Sequence, residues 1–168
     1  MEITYRGLKQ SDLNGMLHFI NTLADEDTYI STGRQTKAKE KKWLDAQLKK
    51  IRKKDLAMVV AECDGRIAGS CGIERESSFR SKHVGLLSIS VAKEFRGKGI
   101  GTELMRRAIV QAKERLGLKL IILEVFSNNA RARRLYKKMG FKEHGRCPKK
   151  FVYKGRYVDD ILIHKWIG

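Results

Sequence analysis

Apolar positions recur along this chain in two periods, and the changes of period mark its elements. Ile3 to Gly7 alternates weakly and predicts a first strand. Ser11 or Asp12 can cap a helix that carries Leu13, Met16, Leu17 and Ile20 on one face. A second helix is expected from about Thr36 to Lys54, with Leu44, Leu48 and Ile51 at i, i+4, i+7. Leu56 to Cys63 reads as a strand, Asp64-Gly65 as a turn, and Ile67 to Ile73 as the returning strand of a hairpin. Val84 to Val91 is another strand, with Leu87, Ile89 and Val91 on one side.

The period then lengthens. Met105, Ile109, Ala112 and Leu116 fall at i, i+4, i+7, i+11 of a helix from Thr102 to Leu116. Leu118 to Phe126 reads as a continuous buried strand. Asn129 to Met139 is a short helix with Ala132, Leu135, Tyr136 and Met139 on one face, and Gly140 stands where helices end. Phe141 to Tyr153 and Tyr157 to Trp166 form a last antiparallel pair around Lys154-Gly155. The order β α α β β β α β α β β implies one parallel strand pair in an otherwise antiparallel sheet, an α/β (α+β) class.

Composition adds limits. The chain has 168 residues with one proline, Pro148, and no linker or repeat, so residues 1–168 read as one domain. No apolar run approaches the ~20 residues that span a bilayer. Met1-Glu2-Ile3 opens without an apolar leader, so a cytoplasmic location without membrane contact is the expectation. Cys63, Cys71 and Cys147 are odd in number and lack CxxC spacing, which argues against a disulfide framework and against a metal site.

Charge changes the picture more. Lys+Arg number 36 and Asp+Glu 19, for a net +17, which favours an anionic partner over a neutral one. The second helix holds much of it: Lys37, Lys39, Lys41, Lys42, Lys49, Lys50, Arg52, Lys53 and Lys54. Aromatic residues are scattered, and Trp43 neighbours the apolar face, which argues against a nucleic-acid-binding module as the main role.

The chemistry concentrates in Arg96-Gly97-Lys98-Gly99-Ile100-Gly101, between a strand and a helix. Alternate glycines let the backbone turn tightly and approach a ligand. The helix that follows aims free N–H groups and the positive end of its dipole into the loop, which suits phosphate. Arg96 and Lys98 add charge. The GxxxxGK[ST] spacing of a nucleotide P-loop is missing, and GxGxG is one residue short of the dinucleotide fingerprint GxGxxG.

The run Val91-Ala92-Lys93-Glu94-Phe95-Arg96-Gly97-Lys98-Gly99-Ile100-Gly101 resembles the acyl-CoA signature of the GCN5-related N-acetyltransferases (GNAT), (Gln/Arg)-x-x-Gly-x-(Gly/Ala), at Arg96, Gly99 and Gly101. Many members have proline where this chain has Lys93. Val125-x-x-x-Asn129-x-x-Ala132-x-x-Leu135-Tyr136-x-x-x-Gly140-Phe141 resembles the second motif of that family. The resemblance covers roughly Leu56 to Trp166. It implies a mixed sheet flanked by helices, with its parallel pair splayed between Ser88–Val91 and Leu120–Val125. It also implies acetyl-CoA as co-substrate, with the pyrophosphate on the backbone N–H groups of Gly97, Lys98, Gly99, Ile100, Gly101 and Thr102. Ser90 and Val91 would line the pantetheine arm, and the Val91 N–H would polarise the acetyl carbonyl. Asn129 would contact the cofactor, cap its helix, or do both. Tyr136 would contact the cofactor and give a proton to the leaving thiolate; alternatively it is a core tyrosine.

The base that takes a proton from the attacking amine is not fixed by the motifs. Glu124 is the first candidate, because a carboxylate within the apolar run Leu120 to Phe126 is costly unless used or paired; an ion pair is the alternative. Glu74 and Glu76 follow, and a water chain is a further option. Gly155-Arg156-Tyr157-Val158-Asp159 resembles the ending of the amino-acid and ribosomal-protein branches, which would bring Tyr157 and Asp159 toward substrate, or else mark a turn. The implied function is direct acetyl transfer from acetyl-CoA to a primary amine, on a protein N-terminus, a lysine or a small molecule, with a homodimer compatible. The rival classes are a basic nucleic-acid-binding module and a CoA-binding module without catalysis.

Overall fold

A computed structural model describes residues 2–26, 29–30 and 32–168. Within them lie four α-helices and seven strands: β1 (Ile3–Gly7), α1 (Leu13–Asp25), α2 (Lys37–Arg52), β2 (Leu56–Cys63), β3 (Arg66–Arg75), β4 (Val84–Val91), α3 (Ile100–Glu114), β5 (Leu120–Phe126), α4 (Ala130–Lys138), β6 (Lys142–Tyr153) and β7 (Arg156–Trp166). The strands form one sheet in the order β1-β2-β3-β4-β5-β7-β6. Every neighbouring pair is antiparallel except β4 and β5. No helix among the described residues is long and apolar enough to cross a membrane.

Element order and type follow the periodicity, and the departures have local causes. Asp12 sits at the start of α1 without capping it. Its carboxylate instead accepts from both Arg6 guanidinium nitrogens at 2.8 Å and from the Lys9 N–H at 2.9 Å, which braces the short turn before the helix. α2 has a side-chain cap that the sequence reading did not name: the Thr36 side chain accepts from the Lys39 N–H. The strand expected from Leu118 begins at Leu120, because the Leu118 N–H still bonds back to Ala112 at the end of α3.

Strand alternation sends successive side chains to opposite faces. Ser70, Gly72, Glu74, Ser88 and Ser90 line a groove with Trp43 and Gln47 of α2. On the other face a Cβ at Gly69 would meet Leu104 of α3. Thus α2 and α3 cover opposite faces. Leu104, Met105, Ala108 and Ala112 form the buried stripe of α3, and α3 packs across β2, β3 and β4. β5 was expected to be buried throughout. It alternates instead: Ile121, Leu123 and Val125 are buried on one face, whereas Glu124 on the other is exposed.

Candidate functional site

The parallel pair is short. Val84, Gly85 and Leu86 oppose Leu120, Ile121 and Ile122, and there the register ends. β4 continues along β3 as far as Val91, and β5 continues along β7 as far as Phe126. Each strand is held by its outer neighbour, so the inner edges part and leave backbone groups facing an opening. Ala92 donates its N–H to Ala68 on the β3 side. N–H groups alternate along a strand, so the Val91 N–H points the other way, into the opening.

The glycine loop closes one end of that opening. Gly97 (φ 77°) and Gly99 (φ 80°) lie in the left-handed region, which other residues enter at a cost of about 1 kcal/mol or more. Nothing lies within 4 Å of a Cβ built at either, so a ligand has room to approach the backbone. Gly99 occupies the N-cap of α3, and this starts the helix at Ile100, two residues before the expected Thr102. The N–H groups of Gly97, Gly99, Ile100, Gly101 and Thr102 have no backbone acceptor among the described residues. A helix start with unmet donors and clear space is the arrangement that phosphate needs. At Gly101 the constraint is close approach, since a Cβ would lie 3.3 Å from Leu135 of α4.

Arg96 acts as a brace here. Its Nε donates to the Val91 carbonyl at 2.7 Å and its other end pairs with Glu26 at 2.5 Å. Glu26 also accepts from the Lys93 N–H at 3.2 Å. The charge expected to meet phosphate is thus engaged in holding the end of β4 to the end of α1. No sequence signal marked Glu26 for this.

α4 starts at Asn129, whose Oδ1 accepts from the Ala132 N–H at 3.1 Å. The capping role is therefore present, and the Asn129 amide nitrogen is left over. Arg131, Arg134, Lys137 and Lys138 are exposed on this helix. Tyr136 is buried, 7% exposed, and its ring lies 6.1 Å from that of Phe141. Its hydroxyl has no hydrogen-bond partner among the described residues, and the phenol is not among the fully enclosed unpaired groups. Burial, and then the nearby Cys71 thiol, push its pKa above the usual tyrosine range.

Glu124 stands on β5, on the face away from α3. The Lys150 ammonium lies 2.6 Å from Glu124 and 2.8 Å from Asp160. These two carboxylates, Asp160 first, hold the lysine above its usual pKa. Glu124 is half exposed, so burial does not strain it; the ion pair that was the alternative is present. Asp160 is fully buried, and its second oxygen accepts no hydrogen bond among the described residues. An acid heading the apolar run Ile161-Leu162-Ile163 is the signal that would have found it. Beside it Phe126 stacks on Phe151 (3.9 Å) and Tyr29 on Tyr153 (4.6 Å).

The groove on the α2 face, about 330 Å³, runs along β4 to Ser90. Trp43 and Glu74 line it, and Glu74 is paired to Lys50 at 2.7 Å. Tyr157 is exposed near the hairpin tip. Asp159 is committed to the hairpin, where it accepts from Arg146 (2.6 Å) and from the Lys149 N–H (2.8 Å).

The model of the acetyltransferase (GNAT) family matches residues 18–141, more than half of the chain. The L-amino acid N-acetyltransferase AaaT of Escherichia coli is 34% identical over 62% of this chain and 64% of its own length. The chain spans between 60% and 64% of that protein and of three relatives from Methanocaldococcus jannaschii and Sulfurisphaera tokodaii. Among solved structures, an acetyltransferase of the GNAT family from Streptococcus pneumoniae superposes with a TM-score of 0.88 at 27% identity, covering 99% of this chain and 100% of that one. The structure of yncA from Salmonella typhimurium with its cofactor acetyl-CoA superposes with a TM-score of 0.87 at 21% identity, over 100% of this chain and 95% of that one, and shares the fold.

Proposed function

Because the chain belongs to the acetyltransferase (GNAT) family, we propose that it moves the acetyl group of acetyl-CoA directly to a primary amine. The observation that carries this reading is the parting of β4 from β5 after Leu86 and Ile122, beside a glycine loop with unmet N–H groups. The pyrophosphate sits on the N–H groups from Gly97 to Thr102. The pantetheine arm enters the opening and pairs with backbone edges as an added strand does. The Val91 N–H donates to the acetyl carbonyl and stabilises charge as it develops on that oxygen.

The acceptor amine arrives along the groove under α2, past Trp43, Ser88 and Ser90. It is cationic at neutral pH and must lose a proton before attack. Glu124 takes that proton. Its place supports this: Glu124 is half exposed on β5, two residues past the point where β4 and β5 part. The amine nitrogen then bonds to the acetyl carbon, the carbon–sulfur bond breaks, Tyr136 gives its proton to the thiolate, and the second proton that the nitrogen must shed restores the phenol. A phenol is a weaker acid than a thiol of pKa near ~8.5, so it can donate only within hydrogen-bond reach and as the carbon–sulfur bond breaks. No residue becomes acetylated on the way.

The test is an initial-velocity study that follows CoA thiol release with a panel of amines: amino acids, peptide N-termini, lysine peptides and polyamines. Lines that intersect, with no acetylated protein by mass spectrometry, are expected. Parallel lines with an acetylated enzyme, or no release with any amine, would overturn the reading.

A further inference from the structure

Charge on this protein is compensated unevenly. Arg6, Arg34, Arg66, Arg96, Arg106, Arg107, Arg133 and Arg146 each hold a carboxylate. On α2 and its C-terminal turn the pattern reverses. Of nine basic residues from Lys37 to Lys54, only Lys41 and Lys50 have an ion-pair partner among the described residues, Asp45 and Glu74. The two acids of the helix offset little, because Asp45 already serves Lys41, and Glu40 is buried beneath, 4% exposed.

The unpaired lysines are in line. Lys39, Lys42, Lys49 and Lys53 are all exposed and lie at spacings of three, seven and four, which keeps them on one stripe of a helix. That stripe is opposite the buried one, which carries Leu44 and is flanked by Leu48 and Ile51. At about 1.5 Å per residue it runs for about 21 Å. Duplex nucleic acid carries one phosphate per ~3.4 Å of each strand, so a row of this length faces several. No aromatic side chain lies on the stripe; Trp43 faces the groove. The surface therefore suits a sugar–phosphate backbone and does not suit reading of bases.

We propose that the outer face of α2 docks the phosphate backbone of nucleic acid, independent of sequence, through Lys39, Lys42, Lys49 and Lys53. The inner side of the same helix lines the groove assigned above to the acceptor, so a polyanion on α2 lies next to the amine entrance. This second consequence rests on the acetyl-transfer reading; docking itself does not.

The experiment is fluorescence anisotropy with a labelled 20-base-pair duplex of arbitrary sequence, from 50 to 200 mM salt, on the full chain. Four neutralised phosphates give a slope of log affinity against log salt of about −3.6. The variant K39E/K42E/K49E/K53E should bind at least tenfold more weakly and lose most of that slope. Reversal of four exposed charges outside α2, in R80E/K82E/K113E/R115E, should change affinity by no more than about twofold. Thermal unfolding with acetyl-CoA is run on both variants. The α2 variant should keep the stabilisation of the parent, which separates failure of docking from failure of the acetyltransferase reading. Equal weakening by both variants would show bulk charge and overturn the proposal. So would displacement of the duplex by polyglutamate at matched charge, which would assign the surface to acidic protein.

Discussion

Leu86 and Ile122 are the last opposed residues of the only parallel pair among the described strands. Past them each chain keeps a single partner, Val91 against Gly69 on one side and Phe126 against Asp160 on the other. The opening thus arises from two strong antiparallel ladders that pull apart a weak parallel one. Function enters where pairing stops.

The loop at its end depends on Gly99. A side chain there enters φ near 80° at a cost of about 1 kcal/mol or more, and relief moves the first N–H groups of α3. Gly99→Ala should lower the melting temperature by about 2–4 °C and weaken acetyl-CoA at least tenfold. Scanning calorimetry checks the first number and calorimetric titration the second, on one preparation.

Tyr136 is buried, and its burial favours the protonated phenol. Burial raises its pKa above 10, so the protonated form persists through the ordinary alkaline range. The rate should not fall on the alkaline side below about pH 9.5 on account of this group. Tyr136→Phe should lower kcat by about 10²-fold or more while acetyl-CoA still stabilises the fold. An equal loss of binding would assign the hydroxyl to cofactor contact alone.

Glu124→Gln separates the base from the ion pair. The amide keeps the shape and can no longer take a proton, so kcat should fall by about 10²-fold. A kcat within about twofold of the parent would leave proton removal to Glu74, Glu76 or water.

Glu40 gives a stability test with a defined sign. Burial raises its pKa above the usual carboxylate value, and no cation pairs with it among the described residues. Folding therefore disfavours the ionised form, and stability falls as pH rises through and above ~4.3. Glu40→Gln should raise the melting temperature at pH 7 and should gain nothing below about pH 4.

Thiol accessibility follows from burial. Cys63 and Cys71 are buried with pKa values raised by desolvation, whereas Cys147 is exposed on β6. Of three thiols, one should react promptly with a disulfide reagent in the native protein, and Cys147→Ser should abolish that reaction.

Periodicity made most of the fold legible. The apolar run Leu56–Cys63 and the partial alternation of Val84–Val91 mark those strands to the residue. β5 looked equally apolar and is half open, since a single sequence does not say which helix covers which face. The loop from Arg96 to Gly101 was legible because positive φ leaves glycine as its mark. Contacts that join distant segments left little trace. Glu26 on Arg96 spans 70 positions and Lys150 on Glu124 spans 26, and neither pairing has a period. The same limit hid the bracing contacts of Arg96 to Val91 and Glu26.

The most direct measurement is thermal unfolding against acetyl-CoA concentration, with NADH in parallel. A ligand held only by the native state at 100 times its Kd adds about 2.7 kcal/mol, or roughly 5–10 °C for a chain of this size. A rise of that size with acetyl-CoA, none with NADH, and a rise cut to about half or less in Gly99→Ala at the same concentration, as a tenfold weaker Kd leaves about 1.4 kcal/mol, is the expected result. No rise with millimolar acetyl-CoA, or an equal rise with NADH, would contradict an acetyl-CoA site between β4 and β5.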